Sequence, residues 1–429
     1  MIRNSRYVRF LLCALVAALP GVTAAQAQLI WRPFNAASPW NTVIGEHPLI
    51  DRNSAVYIGQ INSLYRTMTG KADECFVSTT RHNWGIALFF IDGIKPYPKH
   101  LFVSCHTDWG FPAAAPLPAW AVPDPSEDAH LCIVDRKEGL EWDFWNIKGS
   151  WPQYSCGSSV LVNTFGAGAI TSGHGCRESG FPLSAGLIRP EELAAGEIRH
   201  ALVFGFDGRN GWDQFVYPAI TGSDDAFGPA GQSTLPMGSR LQLKPDKDLA
   251  RLTPSARVIA RALQTYGMYL GDEGDGRSLS IYMQTVGEVN GDNVADTGQT
   301  LWAGLWNEND RQSLALLKAS DFRVVELPVV GAGRPAQLAI VSPADTVSTD
   351  KSVVFEVAQT GGDHPIGEIR FYLNQPQRTQ PSATDGNAPF LWRQQAQQLT
   401  AGRHTVYVVA VDQKGNKSWA SKTFYVRNQ

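Results

Sequence analysis

The chain has 429 residues, with 37 Lys and Arg against 40 Asp and Glu, and hydrophobic residues make up 43% of it. That near-balance of charge gives no basic face for nucleic acid or for an anionic membrane surface. The length exceeds the ~250–300 residues at which a single core stops growing, so two domains are expected.

Arg3, Arg6 and Arg9 precede an apolar run from Phe10 to Leu19 and a small-residue end at Ala25-Gln26-Ala27. This is the pattern of a signal peptide over residues 1–27, cut after Ala27. Its apolar core is too short to span a bilayer, and no later run reaches ~18 apolar residues, so membrane insertion is not expected. Removing three arginines leaves 34 basic and 40 acidic residues, a charge of −6. Export to an oxidising compartment makes disulfides the expected state of the five remaining cysteines, Cys75, Cys105, Cys132, Cys156 and Cys176. Two bridges and one leftover thiol allow fifteen arrangements. Cys156 with Cys176, closing a Gly/Ser-rich loop, is the first expectation, and Cys75 with Cys105 the second.

Residues 28–327 read as short strands with a few helices. Ser54 to Tyr65 has a helical apolar spacing, with Val56, Ile61, Leu64 and Tyr65 largely inward. A second helix follows Thr253 as cap and Pro254 in the first turn, carries Val258, Ile259, Ala262, Leu263 and Tyr266 on one stripe, and ends at Gly267. "WGIALFFID", "HLFVSCH", "EWDFW", "HALVFGF" and "SLSIYMQ" read as strands. Too few helices separate them for a parallel α/β sheet, and a mainly β jelly roll or related two-sheet sandwich is expected. Residues 328–335 form a turn-rich linker, and a further domain runs over 336–429. There, "KSVVFEVAQ", "GEIRFYLN", "HTVYVVAVD" and "SKTFYVRN" alternate apolar and polar residues, as in a β-sandwich.

"HLCIVDRKEGLEWDFW" carries the first candidate site. Two strands joined through Arg136-Lys137-Glu138-Gly139 pair Val134 with Glu141 and Cys132 with Asp143. Leu131, Ile133, Trp142 and Phe144 then share a core face. His130, Cys132, Glu141, Asp143 and Trp145 share the other. A solvent-facing sheet would also be polar there, but this face has no Lys, Thr or Ser, and Trp151 and Tyr154 follow with flat surfaces suited to sugar rings. Glu141 and Asp143 would supply the two carboxyl groups that glycosidic hydrolysis needs, with retention or inversion left open. Trp145, Trp151 and Tyr154 would line the sugar subsites.

"SGHGCRESGFP" is the second candidate, a Gly-rich loop in which His174 suits acid/base work and Arg177 binds an acidic or hydroxyl-rich group. His200 opens an apolar strand, where a histidine is more often a satisfied core residue than a substrate contact. Glu191 and Glu192 fit the first turn of a helix and are read as structural. The histidines stand at no metal-ligand spacing. "EVNGDNVADTGQ" looks like a calcium loop, but Asn293 stands where its glycine belongs and Gln299 where its closing acid belongs. No phosphate-binding loop or nucleophile elbow occurs, and no metal or cofactor is expected.

The last hairpin, "VYVVAVDQKGNKSWASKTFYV", resembles that of bacterial immunoglobulin-like domains on secreted proteins. The "SPWN" start, the "EWDFW" strand and "SAGLIRPEELAAGEIRHAL" resemble a group of secreted bacterial proteins associated with polysaccharide processing. The resemblance implies a polysaccharide or oligosaccharide partner, with the C-terminal domain offered to a cell-surface or matrix glycan. Three functions stay open: a hydrolase using Glu141 and Asp143; a lyase in which Arg177 neutralises a uronate while His174 or His130 takes the α-proton; and a non-catalytic glycan-binding or adhesive protein. Hydrolysis is ranked first.

Overall fold

The computed structural model describes residues 30–427, except 81–83, 93–100, 109–113, 120, 151–152, 170–174, 207–213, 223–234, 275, 286, 291–292, 297–301, 349–351, 376–379 and 396–397. The chain is mainly β, as expected, with several sheets in a sandwich-like arrangement and few helices.

A six-stranded sheet contains Val77–Thr79, Leu202–Gly205, Arg240–Leu243, Met268–Asp272, Leu279–Ile281 and Phe322–Val324. An eight-stranded sheet contains Ile86–Phe90, Leu101–Asp108, Leu131–Asp135, Leu140–Trp145 and Gln153–Asn163 among its members. Both mix parallel and antiparallel pairs. Their facing sides share one core, to which the first sheet gives Leu202, Phe204, Leu241 and Met268 and the second gives Ile86, Leu88, Val134 and Val160. Leu131, Ile133, Trp142 and Phe144 belong to a second, separate core cluster. A sheet covered on both faces has no wet side, which decides how its polar residues are read.

The helices follow their sequence signals. Ser54–Thr69 runs one turn past Tyr65 and stops at Gly70, whose φ of 68° lets its N–H close back on Arg66 O. Val56 on that helix is exposed rather than inward. Pro254–Thr265 follows Thr253, buries Ile259, Ala262 and Leu263, and is followed by Gly267 at φ 71°. In "EVNGDNVADTGQ", Gly287–Asn290 pairs antiparallel with Asn293–Asp296 as a hairpin, while residues 291–292 and 297–299 lie outside the described residues.

The strands from Gln337 onward form a three-stranded and a five-stranded sheet around their own core of Phe355, Ile369, Phe371, Val408 and Phe424. Asp412 caps the last turn, accepting the amides of Lys414 and Asn416. This C-terminal sandwich is bonded to the rest: Trp419 Nε1 donates to Ile44 O at 3.3 Å, Gln337 Nε2 to Ala37 O at 3.2 Å, and Lys417 pairs with Glu326. A cavity of about 610 Å³ lies between Pro39, Tyr217, Tyr269, Arg334 and Trp419.

Both expected disulfides are corrected. Cys105 is bridged to Cys156, while Cys75, Cys132 and Cys176 are buried and outside any disulfide. The reason is register: Cys105 and Cys156 lie directly opposite each other on neighbouring parallel strands, 4.4 Å apart at Cα. Cys176 packs in the main core instead, its thiol donating to Ser158 O at 3.6 Å.

Candidate functional site

The hairpin adopts the expected register, with Val134 opposite Glu141, Cys132 opposite Asp143 and Asp135 opposite Leu140. Gly139, at φ 69°, makes the turn. The alternation of faces therefore also holds. What differs is what the polar face meets. Glu141 and Asp143 have no exposed surface and His130 is 2% exposed, so the expected open cleft over this pair is corrected.

The cover is the segment 175–189, which runs between the sheets. Its Ser179 amide donates to Gly271 O, and its Gly186 O accepts from Val203 N. Gly186 has a φ of 66°, and a Cβ there would stand 2.5 Å from Val203 N, so only glycine allows this approach. Leu183 N donates to Asp143 Oδ2 at 2.9 Å. Ser184 donates twice to Glu141, from its amide at 3.0 Å and from its hydroxyl at 2.5 Å. Burial and the neighbouring Glu141 push the Asp143 carboxyl well up, and burial with the same two acids pushes the Cys132 thiol up. These groups hold the cover to the sheet. They do not face solvent.

The same cover brings a second set together at one end of the two sheets. His130 Nε2 lies 2.9 Å from Cys176 O. A carbonyl only accepts, so Nε2 is the donor in this bond. Nδ1 has no hydrogen-bond partner among the described residues. The next residue, Arg177, is 4% exposed, donates from Nη2 to Leu183 O at 3.1 Å, and lies over the Tyr282 ring at 4.4 Å. Its Nε and Nη1 have no hydrogen-bond partner among the described residues. Tyr282 in turn donates to Asp272 Oδ2 at 3.1 Å. Burial pushes the Asp272 carboxyl up; Arg177 and His130 act against that, and Asp128 adds to it. Burial and Asp272 hold the Tyr282 phenol well up.

The rim is more open. Trp145 is 37% exposed, and its Nε1 donates to Asp128 Oδ1 at 3.0 Å. Its ring lies on Gly157, where a Cβ would come within 2.4 Å. Asp128, Glu178, Asp272 and Glu273 are half-buried around it.

The structure thus brings together His130, Arg177 and the Trp145 rim, and separates them from the remaining candidates. Tyr154 is half-buried against the outer core cluster. His200 is a core residue, its Nε2 2.8 Å from Glu192 Oε1 and its Nδ1 2.8 Å from Ala201 O, so the substrate-contact reading is corrected. Trp151 and His174 lie outside the described residues. Sequence reasoning missed Asp272 and Tyr282. The one available signal was "GDEGDG", an acidic run that begins in the last residues of a buried strand.

No family model and no curated protein matches the chain. Among solved structures it is similar to the fibronectin(III)-like modules of Clostridium thermocellum CbhA, at 16% identity and a TM-score of 0.18, covering 21% of this chain and 98% of that one. It is also similar to the endo-β-1,4-mannanase of Thermotoga petrophila, at 11% identity and 0.18, covering 36% and 33%. A superoxide reductase of Ignicoccus hospitalis stands at 16% and 0.17, covering 21% and 81%. Likenesses of this size reach part of the fold and carry no argument about activity.

Proposed function

We propose that the chain is an exported enzyme that cleaves an acidic polysaccharide by β-elimination, with His130, Arg177, Tyr282 and Asp272 as its reacting groups. The observation that carries this reading is a pair of buried functions without hydrogen-bond partners among the described residues: Nδ1 of His130 and Nε and Nη1 of Arg177. Orphaned buried polar atoms cost about 1–3 kcal/mol each, and a bound group that satisfies them recovers that cost.

A uronate has the chemistry to satisfy both. Its carboxylate accepts the two guanidinium N–H groups, which lowers the barrier to removing the neighbouring C5 proton. Nδ1 of His130 takes that proton, the C4–O bond breaks as the C4–C5 double bond forms, and the leaving oxygen is protonated from the Tyr282–Asp272 pair. Trp145 and Asp128 at the rim receive the next sugar. The mature charge of −6 does not oppose an anionic substrate decisively, because exposed charges are screened over ~8 Å while Arg177 acts at contact.

Hydrolysis by Glu141 and Asp143 is supported less well. A general acid must reach the glycosidic oxygen within ~2.6–3.2 Å, and three of the four carboxyl oxygens are already engaged by Leu183 and Ser184, whereas His130 Nδ1 and Arg177 Nε and Nη1 have no hydrogen-bond partner among the described residues. Export is supported by the leader-like residues 1–27 and by the Cys105–Cys156 bridge. The division at 328–335, with an immunoglobulin-like part from 336 that engages a surface or matrix glycan, is supported by the separate C-terminal core.

The test is a panel of neutral and acidic polysaccharides, read for new reducing ends and for the ultraviolet absorbance of an unsaturated uronate. Both signals rising together on an acidic substrate, and both lost in His130→Ala, is the expected result. Reducing ends without absorbance would mean hydrolysis, and neither signal on any substrate would favour glycan binding alone.

A further inference from the structure

A second cluster lies outside these reacting groups. Cys132, Glu141 and Asp143 each offer one ligand atom, and these atoms all lie within 4.8 Å of one another. The register is the cause: Cys132 stands opposite Asp143, and Glu141 is two residues along on the same face. All three residues have no exposed surface. Among the described residues no ion pair reaches either carboxyl group. Two carboxylates and a thiol in a dry interior cost several kcal/mol per charge unless protons or a cation neutralise them.

We propose that this pocket between strands Leu131–Asp135 and Leu140–Trp145 is a structural metal site for a borderline-soft divalent cation, zinc first, held by Cys132 Sγ, a Glu141 oxygen and Asp143 Oδ1. Asp143 Oδ1 is the observation that points to a ligand. Among the described residues it is buried without a hydrogen-bond partner outside the cluster, while the other three carboxyl oxygens each accept from Leu183 or Ser184. Those donors are the outer shell that orients ligating carboxylates. One sulfur with two oxygens suits zinc, whose bonds of ~2.0–2.3 Å bring ligand atoms closer together than the present spread by a small side-chain adjustment. Calcium and magnesium want six or more oxygens and are poorly served here. Burial on all sides makes the site closed, so its work is to clamp the 183–184 cover to the hairpin. It does not depend on the proposed elimination.

The test uses the full chain, unfolded with a chelator and refolded with zinc or cobalt, then freed of loose metal and analysed by elemental mass spectrometry. One metal per chain is expected, with a higher Tm than the metal-free protein. The cobalt form is expected to show the charge-transfer absorption of a thiolate ligand, absent in Cys132→Ser and unchanged in Cys75→Ser. Folded protein that takes up no metal from excess zinc would overturn the site and leave a proton-sharing carboxyl pair. A cobalt–thiolate band that persists in Cys132→Ser would overturn the ligand assignment. If Cys132→Ser does not fold, the metal content of the unaltered chain decides.

Discussion

Replacing Arg189 with Met is expected to destabilise the protein severely without touching the reacting groups. Arg189 is fully buried. Its Nη2 donates to Glu192 Oε1 at 2.5 Å and to Trp31 O at 2.8 Å, and its Nε to Glu191 at 3.0 Å. Glu192 also pairs with His200, and its second oxygen accepts the Arg189 amide. Met fills similar volume but leaves the Glu192 carboxylate buried without its guanidinium partner, with His200 as its remaining side-chain partner. Removing one partner of a buried pair costs about 3–5 kcal/mol. Arg189→Met with Glu192→Leu removes both charges and is expected to recover most of that loss. Burial alone would raise the Glu192 carboxyl, but Arg189 and His200 bring it below its ordinary value. A depressed carboxyl contributes stability above its unfolded pKa and loses it as pH falls through the folded one. The gap between native protein and Arg189→Met is therefore widest near neutrality and narrows in acid. Calorimetric unfolding across pH measures both effects. A single-variant loss under ~1 kcal/mol at neutral pH, or a double variant no better than the single one, would refute the reasoning.

Further outcomes follow from the same geometry. Cys105→Ser with Cys156→Ser opens a loop spanning 51 residues and is expected to cost about 4 kcal/mol in the chain-entropy model, read as a lower Tm under non-reducing conditions. Phe144→Ala empties fully buried volume in the outer core and is expected to cost ~3–5 kcal/mol in denaturant unfolding. Trp145→Ala leaves the fold nearly unchanged but is expected to raise KM on polymeric substrate, so unchanged kinetics would remove Trp145 from the rim subsite.

The hairpin was legible because its information is local. A Gly turn and strict alternation fix the register of Leu131–Asp135 against Leu140–Trp145, and the structure has that register. What lies on top of a face is not local information. Leu183 and Ser184 stand some forty residues beyond Asp143 and Glu141, and nothing in "EWDFW" shows that its acids meet two backbone amides rather than water. Cys105 and Cys156 failed for a related reason, since parallel neighbours are joined by long crossovers and carry no pairing signal in their spacing. Asp272 and Tyr282 reach the site through the order of the six-stranded sheet. His200 was the reverse case, where the ordinary core role was the right one and its partner, Glu192, stands eight residues away.

The most direct test of the central claim compares an oligouronate with its methyl ester as substrates for the native chain and for Arg177→Met. If Nε and Nη1 of the Arg177 guanidinium bind the substrate carboxylate, the native protein favours the free acid in kcat/KM by at least ~10-fold, the equivalent of one charge-assisted hydrogen bond of about 1.4 kcal/mol or more. Arg177→Met, checked as folded by its circular dichroism, is then expected to lose that preference. A folded Arg177→Met that keeps the full preference for the free acid would contradict the account.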